Sequence, residues 1–480
     1  MSSPPPWGLV WLVILVAGAG LAPALVLGQE PRCPPSGALQ PGGPLTLADL
    51  EQIALQRNPT LVQAAANVDD AQGRAIQSGL YPNPTVGYNG EQMGPRNLSG
   101  LGEQQGLFID QTIVTAGKLR LNRARYAQEV SQMEAQALAQ QYRVVNGLRV
   151  RFYQLLAMQR LLDVRADLLK VADQAVTTTE ELKNVGAANE PDLLQARIEA
   201  RQERVALENA RALYQSAWEQ LAAFVGNPAL GVGRLQGDLE AAGAVPDFDT
   251  TLAHLLEASP EVQVAGAEIV RNQFALKREQ VEPIPNVQFR VSTGYDFERD
   301  VRGVSTTVNV GVRLPLFDKN QGNIQSAQAQ LAYAQAELGR VELSLRQRLS
   351  RQYARYRTAR SVVESYRKDN LPDARRAYEL YLESFRRRRA AWPQVLVAQR
   401  TYFQISVDYV DALEEMRRAE VAILGLLLVD GLDEPPGLSG EGRVRSREQQ
   451  GRPADLPDPI NPRQGRGLEN RTGAAAGGGG

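Results

Sequence analysis

His254 and Cys33 are the only imidazole and the only thiol in this 480-residue chain, so the groups that most often carry nucleophilic or soft-metal chemistry have nothing of their kind to converge with. A Cys/His zinc site, a disulfide framework and a Ser-His or Cys-His couple are therefore not expected, because each draws on two or more such groups. His254 lies among Leu252, Leu255 and Leu256 in a helical pattern and reads as a structural or surface histidine. Carboxylate-only or Mg²⁺ chemistry stays open on composition. The charge balance, 53 Lys+Arg against 54 Asp+Glu, argues against a general polyanion binder, nucleic acid included. Two stretches gather polar groups at what read as helix ends: Val185-Gly186-Ala187 followed by Asp192, and Arg386-Arg387-Arg388-Arg389 followed by Gln394. Local chemistry alone makes the first a helix–helix turn, with Asp192 in a first turn where the helix dipole favours it. The four Arg side chains make a solvated face or, repeated by symmetry around an entrance, a ring that repels cations.

The elements that position those stretches follow an export segment. Leu9 to Leu27 is apolar apart from small residues and Pro23, and Gly28 suits a cleavage site, so residues 1–28 read as a signal peptide. The length of the run and the lack of an early Lys or Arg keep an uncleaved anchor as the alternative. Cys33 follows Glu30-Pro31-Arg32, unlike a lipid-attachment pattern, and reads as an unpaired thiol in a flexible segment over 29–44. No other apolar run approaches the roughly 20 residues of a membrane helix, which excludes a polytopic helical membrane protein.

From there the chain repeats itself. Asn58-Pro59 recurs as Ser259-Pro260, Pro82-Asn83-Pro84 as Pro283-Ile284-Pro285, Leu121 and Ala124 as Ile324 and Ala327, and Pro191 to Ala196 as Pro393 to Ala398. Four landmarks at an offset of about 202 residues mark a tandem duplication. The first repeat covers 45–225, an equatorial linker 226–248, and the second repeat 249–428; a Gly/Pro/Arg-rich tail over 429–480 is expected to be disordered.

Each repeat has the same order. An opening helix, Leu47 to Ser78 in the first copy, gives way at Gly79 and Pro82 to two short strands, Thr85 to Met93 and Gly106 to Val114, across the loop Gly94 to Gly102. In the second copy Val287, Phe289 and Val291, then Val308, Val310, Val312 and Leu314, alternate with polar residues. Tilted transmembrane strands need about 9–11 residues and one apolar face, which these segments supply. A long uninterrupted helix follows, Lys118 to Lys183 and Lys319 to Arg387, with Leu148, Leu155, Leu162, Leu169 and Val176 at seven-residue spacing. At 1.5 Å per residue it runs about 100 Å, and the two short helices of each copy sum to the same length. End-to-end stacking of the short helices against the long one is therefore expected.

Four strands cannot span a membrane as an open sheet, because edge N–H and C=O groups would face lipid. Closure needs further copies: a dimer as the formal minimum, or a trimer with twelve strands. The fold class is thus mainly α with a small β portion, a long antiparallel coiled-coil helical barrel joined to a transmembrane β-barrel closed by several copies of the chain. Such an assembly is a conduit.

Over residues 45–428 this order resembles the TolC-type outer-membrane efflux proteins. The resemblance is carried by Leu80-Tyr81-Pro82-Asn83-Pro84, Arg313-Leu314-Pro315-Leu316-Phe317-Asp318, and Val185-Gly186 before Asp192-Leu193-Leu194-Gln195-Ala196. It implies a homotrimeric channel in the outer membrane, helices in the periplasm, a periplasmic adaptor and an inner-membrane pump as partners, and no enzyme activity or cofactor. Tyr81-Pro82-Asn83-Pro84 together with Phe317 to Ile324 is most similar to the subgroup serving heavy-metal cation exporters. By the same resemblance Val185, Gly186 and Ala187 sit where the tip contacts its adaptor, and Asp192 where the tunnel narrows. Gln394 and Val397 replace carboxylates found in some members. Arg386 to Arg389 would then meet carboxylates on the adaptor or on neighbouring tips. Tyr88 and Tyr295 belong to an interfacial aromatic girdle or simply pack within strands. The competing reading is a periplasmic or secreted coiled-coil structural protein with loops in place of the strands.

Overall fold

The structure, a computed structural model, describes residues 45–91, 104–241, 243, 245–296, 303–433 and 435. The export segment 1–28, the segment 29–44 with Cys33, the loop Gly94 to Gly102 and the tail from 436 lie outside the described residues.

A two-residue strand β1 (Leu45–Thr46) leads into α1 (Leu47–Arg57) and α2 (Pro59–Ser78). Then come β2 (Thr85–Glu91), β3 (Gln104–Ile113), α3 (Lys118–Asn184) and α4 (Glu190–Phe224). After β4 (Leu235–Gln236) the order returns as α5 (Phe248–Ala258), α6 (Pro260–Val281), β5 (Val287–Asp296), β6 (Gly303–Val312), α7 (Gln321–Ser365), α8 (Leu371–Arg386) and α9 (Trp392–Leu424).

Both opening helices break where one was expected. Pro59 and Pro260 cannot donate to the preceding turn, and each chain kink is held by its own cap: Asn58 Oδ1 accepts from Thr60 N at 3.0 Å, and Ser259 Oγ from Glu261 N at 3.3 Å. The second long helix is also interrupted. Between α7 and α8, Tyr366–Asn370 widens into a π-turn in which Leu371 N–H bonds back to Tyr366 O. Pro372 explains it, since a proline lacks the N–H and its ring would strike the carbonyl four residues back.

α3 is flanked by α2 along its first part, where Arg74 meets Glu129, and by α4 along its second, where Arg165 meets Glu203. The stacking expected from helix lengths is thus present. The seven-residue seam holds at Leu148 and Leu155 and then slips to Leu168, Ala172, Ala175 and Thr179, because a helix of 3.6 residues per turn drifts against a strict heptad. Leu148, Phe152 and Leu155 form one core with Trp218, Leu221, Phe224, Leu345, Leu349 and Leu413. Each fully buried large side chain there contributes about 1.5–3 kcal/mol.

The linker is part of this core. Leu235 and Leu239 are buried, β4 pairs in parallel with β1, and the buried Arg417 donates to Leu239 O at 2.9 Å and Asp238 O at 3.1 Å. Folded structure also continues past Leu428: Gly431 O accepts from Thr60 Oγ1 at 3.0 Å and Gln140 Nε2 at 3.1 Å, so the beginning of the expected tail is packed.

Candidate functional site

The four long strands form one antiparallel sheet in the order β2-β3-β5-β6. Its register puts Val287 opposite Val312, Phe289 opposite Val310, Val291 opposite Val308 and Tyr295 opposite Val304. On the other side of β5, Ile109 pairs with Val291 and Ile113 with Val287, and Val86 and Tyr88 of β2 pair with Ile109 and Leu107. Since paired residues share a face and alternate ones oppose, all of these side chains lie on one face. That face is apolar and open: Val304 is 73 % exposed, Val310 65 % and Leu107 64 %. Leu314, expected within the last strand, lies just beyond it.

The opposite face carries Asp110, Gln288, Arg290, Ser292, Thr307 and Asn309. There Arg290 pairs with Asp110 at 2.9 Å and lies over the Phe108 ring at 4.8 Å. Residue alternation marked Arg290 as polar-facing, but its two partners come from a strand 180 positions away in sequence, which no local pattern reveals. Lys118 was missed for the same reason. It is buried at the start of α3 and donates to Glu282 O at 3.1 Å, Ile284 O at 2.6 Å and Asn286 Oδ1 at 3.2 Å, tying the foot of β5 to α3.

The far end of α3 makes the first turn. Gly186 adopts φ 70°, its N–H bonds to Lys183 O at 2.9 Å, and Ala187 N–H to Leu182 O at 2.7 Å, the double bond of a Schellman stop. α4 then starts in a reciprocal cap: Asn189 Oδ1 accepts from Asp192 N at 2.9 Å, and Asp192 Oδ2 from Asn189 N at 3.3 Å. The Asp192 carboxylate therefore serves helix initiation. Gln394 keeps half of that arrangement, accepting from Ala391 N at 3.2 Å. Val185 is 64 % exposed at the turn.

The second turn repeats the stop with Arg388 at φ 58° and Arg389 N–H bonded to Ser384 O at 2.8 Å. All four arginines are exposed. Arg386 Nη2 donates to Thr178 Oγ1 at 3.1 Å and Arg387 pairs with Glu383. The two turns lie side by side, because Leu182 and Ala188 of the first pack against Phe385 and Trp392 of the second. Sheet and turns sit at opposite ends of α3, about 100 Å apart along its 67 residues.

His254 is exposed on α5, and among the described residues no group of three His, Cys, Asp or Glu is placed to hold a metal ion. No helix among them is long and apolar enough to cross a membrane. The four-stranded sheet carries a continuous exposed apolar face.

A family model described as outer membrane efflux protein matches residues 50–227 and 251–427. The chain belongs to the outer membrane efflux protein family. Its members are passive channels, so the carboxylate-enzyme reading left open by composition falls, as does the coiled-coil structural protein. This outer membrane efflux protein is 26 % identical over 383 residues to the cobalt-zinc-cadmium resistance protein CzcC of Cupriavidus metallidurans, covering 79 % of the chain and 89 % of that relative. Its fold is similar to that of the outer-membrane channel OprN, with TM-score 0.69, 18 % identity, and 81 % and 91 % of the two chains covered. The outer membrane protein VceC of Vibrio cholerae gives TM-score 0.67 at 18 % identity with 80 % and 96 % covered. For CusC, described with transmembrane channel formation, the values are 0.66, 15 %, 80 % and 92 %.

Proposed function

We propose that this outer membrane efflux protein is the exit duct of a tripartite efflux system for heavy-metal cations. Three copies close a twelve-stranded barrel in the outer membrane, the helices continue it through the periplasm, and an adaptor and an inner-membrane pump supply cargo and energy. The observation that carries the reading is the sheet: apolar and exposed on one face, polar on the other, as a wall between lipid and water must be. Its edges, β2 and β6, have no further strand partner among the described residues, and lipid tolerates no open edge, so other copies cover them.

A tandem duplication is supported by the family match in two ranges and by matched left-handed positions: Gly117, Gly186 and Gly226 correspond to Asn320, Arg388 and Leu427 about 202 residues later. The turn with Val185, Gly186 and Ala187, beside Arg386 to Arg389, is the adaptor contact, and Asp192 and Gln394 line the narrow end of the tunnel. The metal cargo rests on the likeness to a cobalt-zinc-cadmium resistance protein.

Deleting the gene in its own host and restoring it in trans tests the reading. Lowered tolerance to cobalt, zinc or cadmium, with dyes and antibiotics unaffected, is the expected result. Sensitivity to dyes and antibiotics alone would overturn the cargo, and unchanged tolerance to all would overturn the duct.

A further inference from the structure

The polar face of the sheet runs through successive rungs that cross β5 at Gln288, Arg290, Ser292 and Gly294. Among the described residues on those rungs, Asp110 and Arg290 are the only ionisable ones. Apart from Phe108, their neighbours are uncharged Ser, Thr, Asn or Gln, or carry no side chain at all: Gly87, Gly106, Gly294 and Gly311 share this face. Fixed charge is therefore confined to one place on an otherwise neutral and nearly bare wall.

That place is tightly arranged. A Cβ on Gly87 would stand 2.6 Å from the Phe108 ring, so the ring lies across the neighbouring strand in the space that glycine leaves. The Arg290 guanidinium covers the ring at 4.8 Å, an electrostatically favourable stacking that also fixes its direction. Arg290 Nε donates to Asp110 Oδ2 at 2.9 Å, and Nη2 lies 2.9 Å from the same oxygen. The Arg290 side chain is 51 % exposed and that of Asp110 28 %, so the pair faces open space. An exposed pair of this kind adds little to folding stability, and its consequence lies in the charge it presents.

In the closed barrel proposed above, this face lines the lumen. Twelve strands about 4.8 Å apart and tilted by about 40° give a radius of about 12 Å, close to the Debye length of about 10 Å at 0.1 M salt. A charge on the wall thus acts across the whole opening. Repeated in every copy, an unpaired Arg290 would make a cationic ring, the arrangement that passes anions and holds back cations. We propose that Asp110 sets the ion selectivity of the barrel: by neutralising Arg290 it keeps the lumen passable to cations. This rests on the closed-barrel reading and adds to it the residue that decides which charge passes.

The test places the full chain, extracted from outer membranes, in planar lipid bilayers across a KCl gradient near about 0.1 M. The reversal potential gives the ratio of potassium to chloride permeability. Asp110→Asn should lower that ratio by about threefold or more, and Arg290→Gln should raise it. The variant with both substitutions should return to the value of the unsubstituted chain. In about 1 M KCl, where the Debye length is about 3 Å, both shifts should shrink. Damage to folding does not produce shifts of opposite sign that cancel in the double variant. A conducting channel with the same ratio in all four proteins, or with both single variants shifted in one direction, would overturn the role of Asp110 alone. A chain that inserts and never conducts would overturn the closed barrel on which that role stands.

Discussion

Arg388 ends α8 in the left-handed conformation that Gly186 uses to end α3, at φ 58° and 70° respectively. The hydrogen bonds around the two residues match: Ala187 N–H to Leu182 O in one turn, Arg389 N–H to Ser384 O in the other. A residue with a Cβ is uncommon there, because the left-handed region costs a side-chain-bearing residue roughly 1–2 kcal/mol. The first turn avoids that cost with glycine, whereas the second carries it together with three further arginines.

Replacing Arg388 by Gly should therefore stabilise the chain by about 1 kcal/mol, and Gly186→Arg should destabilise it by a similar amount. Denaturant titrations followed by helical circular dichroism measure both. Equal and unchanged midpoints would mean that the turns carry no strain.

Arg389 has no side-chain hydrogen bond or ion pair among the described residues, unlike Arg386 and Arg387. Arg389→Gln should leave oligomer assembly unchanged and lower export, since its charge is free for an acidic partner surface. Minimum inhibitory concentrations of zinc and cadmium, beside oligomer content of the outer membrane, separate the two effects.

Lys118 is a buried cation held by two backbone carbonyls and the Asn286 side chain. Lys118→Met leaves the Glu282 and Ile284 carbonyls without this donor and should cost about 2–4 kcal/mol. The expected signature is a lower denaturant midpoint, with protease cleavage appearing around residues 282–286. Cleavage as slow as in the unsubstituted chain would remove the lysine from any role in seating β5.

Glu268 links α6 to α3. Burial pushes its carboxyl up, but hydrogen bonds from Arg271 and Gln132 outweigh burial and hold it below the ordinary glutamate value. A carboxyl lowered on folding stabilises above its unfolded pKa, near 4.5, and that contribution disappears as pH falls through the lowered folded value. Acid titration should therefore loosen the α3–α6 contact below about pH 4.5. Glu268→Gln should flatten this part of the stability profile while leaving stability at neutral pH lower than in the unsubstituted chain.

Much of this architecture was legible in the residue order. The paired prolines at 84 and 285 and at 191 and 393 located strand entries and helix starts, because proline removes a donor wherever it falls, whereas those at 59 and 260 break opening helices that read as single. Alternation at Val308, Val310 and Val312 correctly marked one face of the sheet. Long-range partners were not legible: Arg290 with Asp110, Lys118 with the carbonyls before β5, and Arg417 with the linker are set by packing between segments far apart in sequence. Arg388 carried no sign of its backbone, since the usual marker of a left-handed stop is glycine. For Asp192 the sequence offered a first-turn position favoured by the helix dipole and the family resemblance a tunnel position, and the hydrogen bonds with Asn189 identify the capping function.

The central claim is that the sheet separates lipid from water, and spin labels placed one at a time from Val304 to Val312 test it most directly. In reconstituted outer-membrane lipid, labels at 304, 306, 308, 310 and 312 should be accessible to lipid-soluble oxygen and shielded from a water-soluble nickel chelate. Labels at 305, 307, 309 and 311 should show the reverse. Accessibility to the chelate at every position, without alternation, would contradict the account.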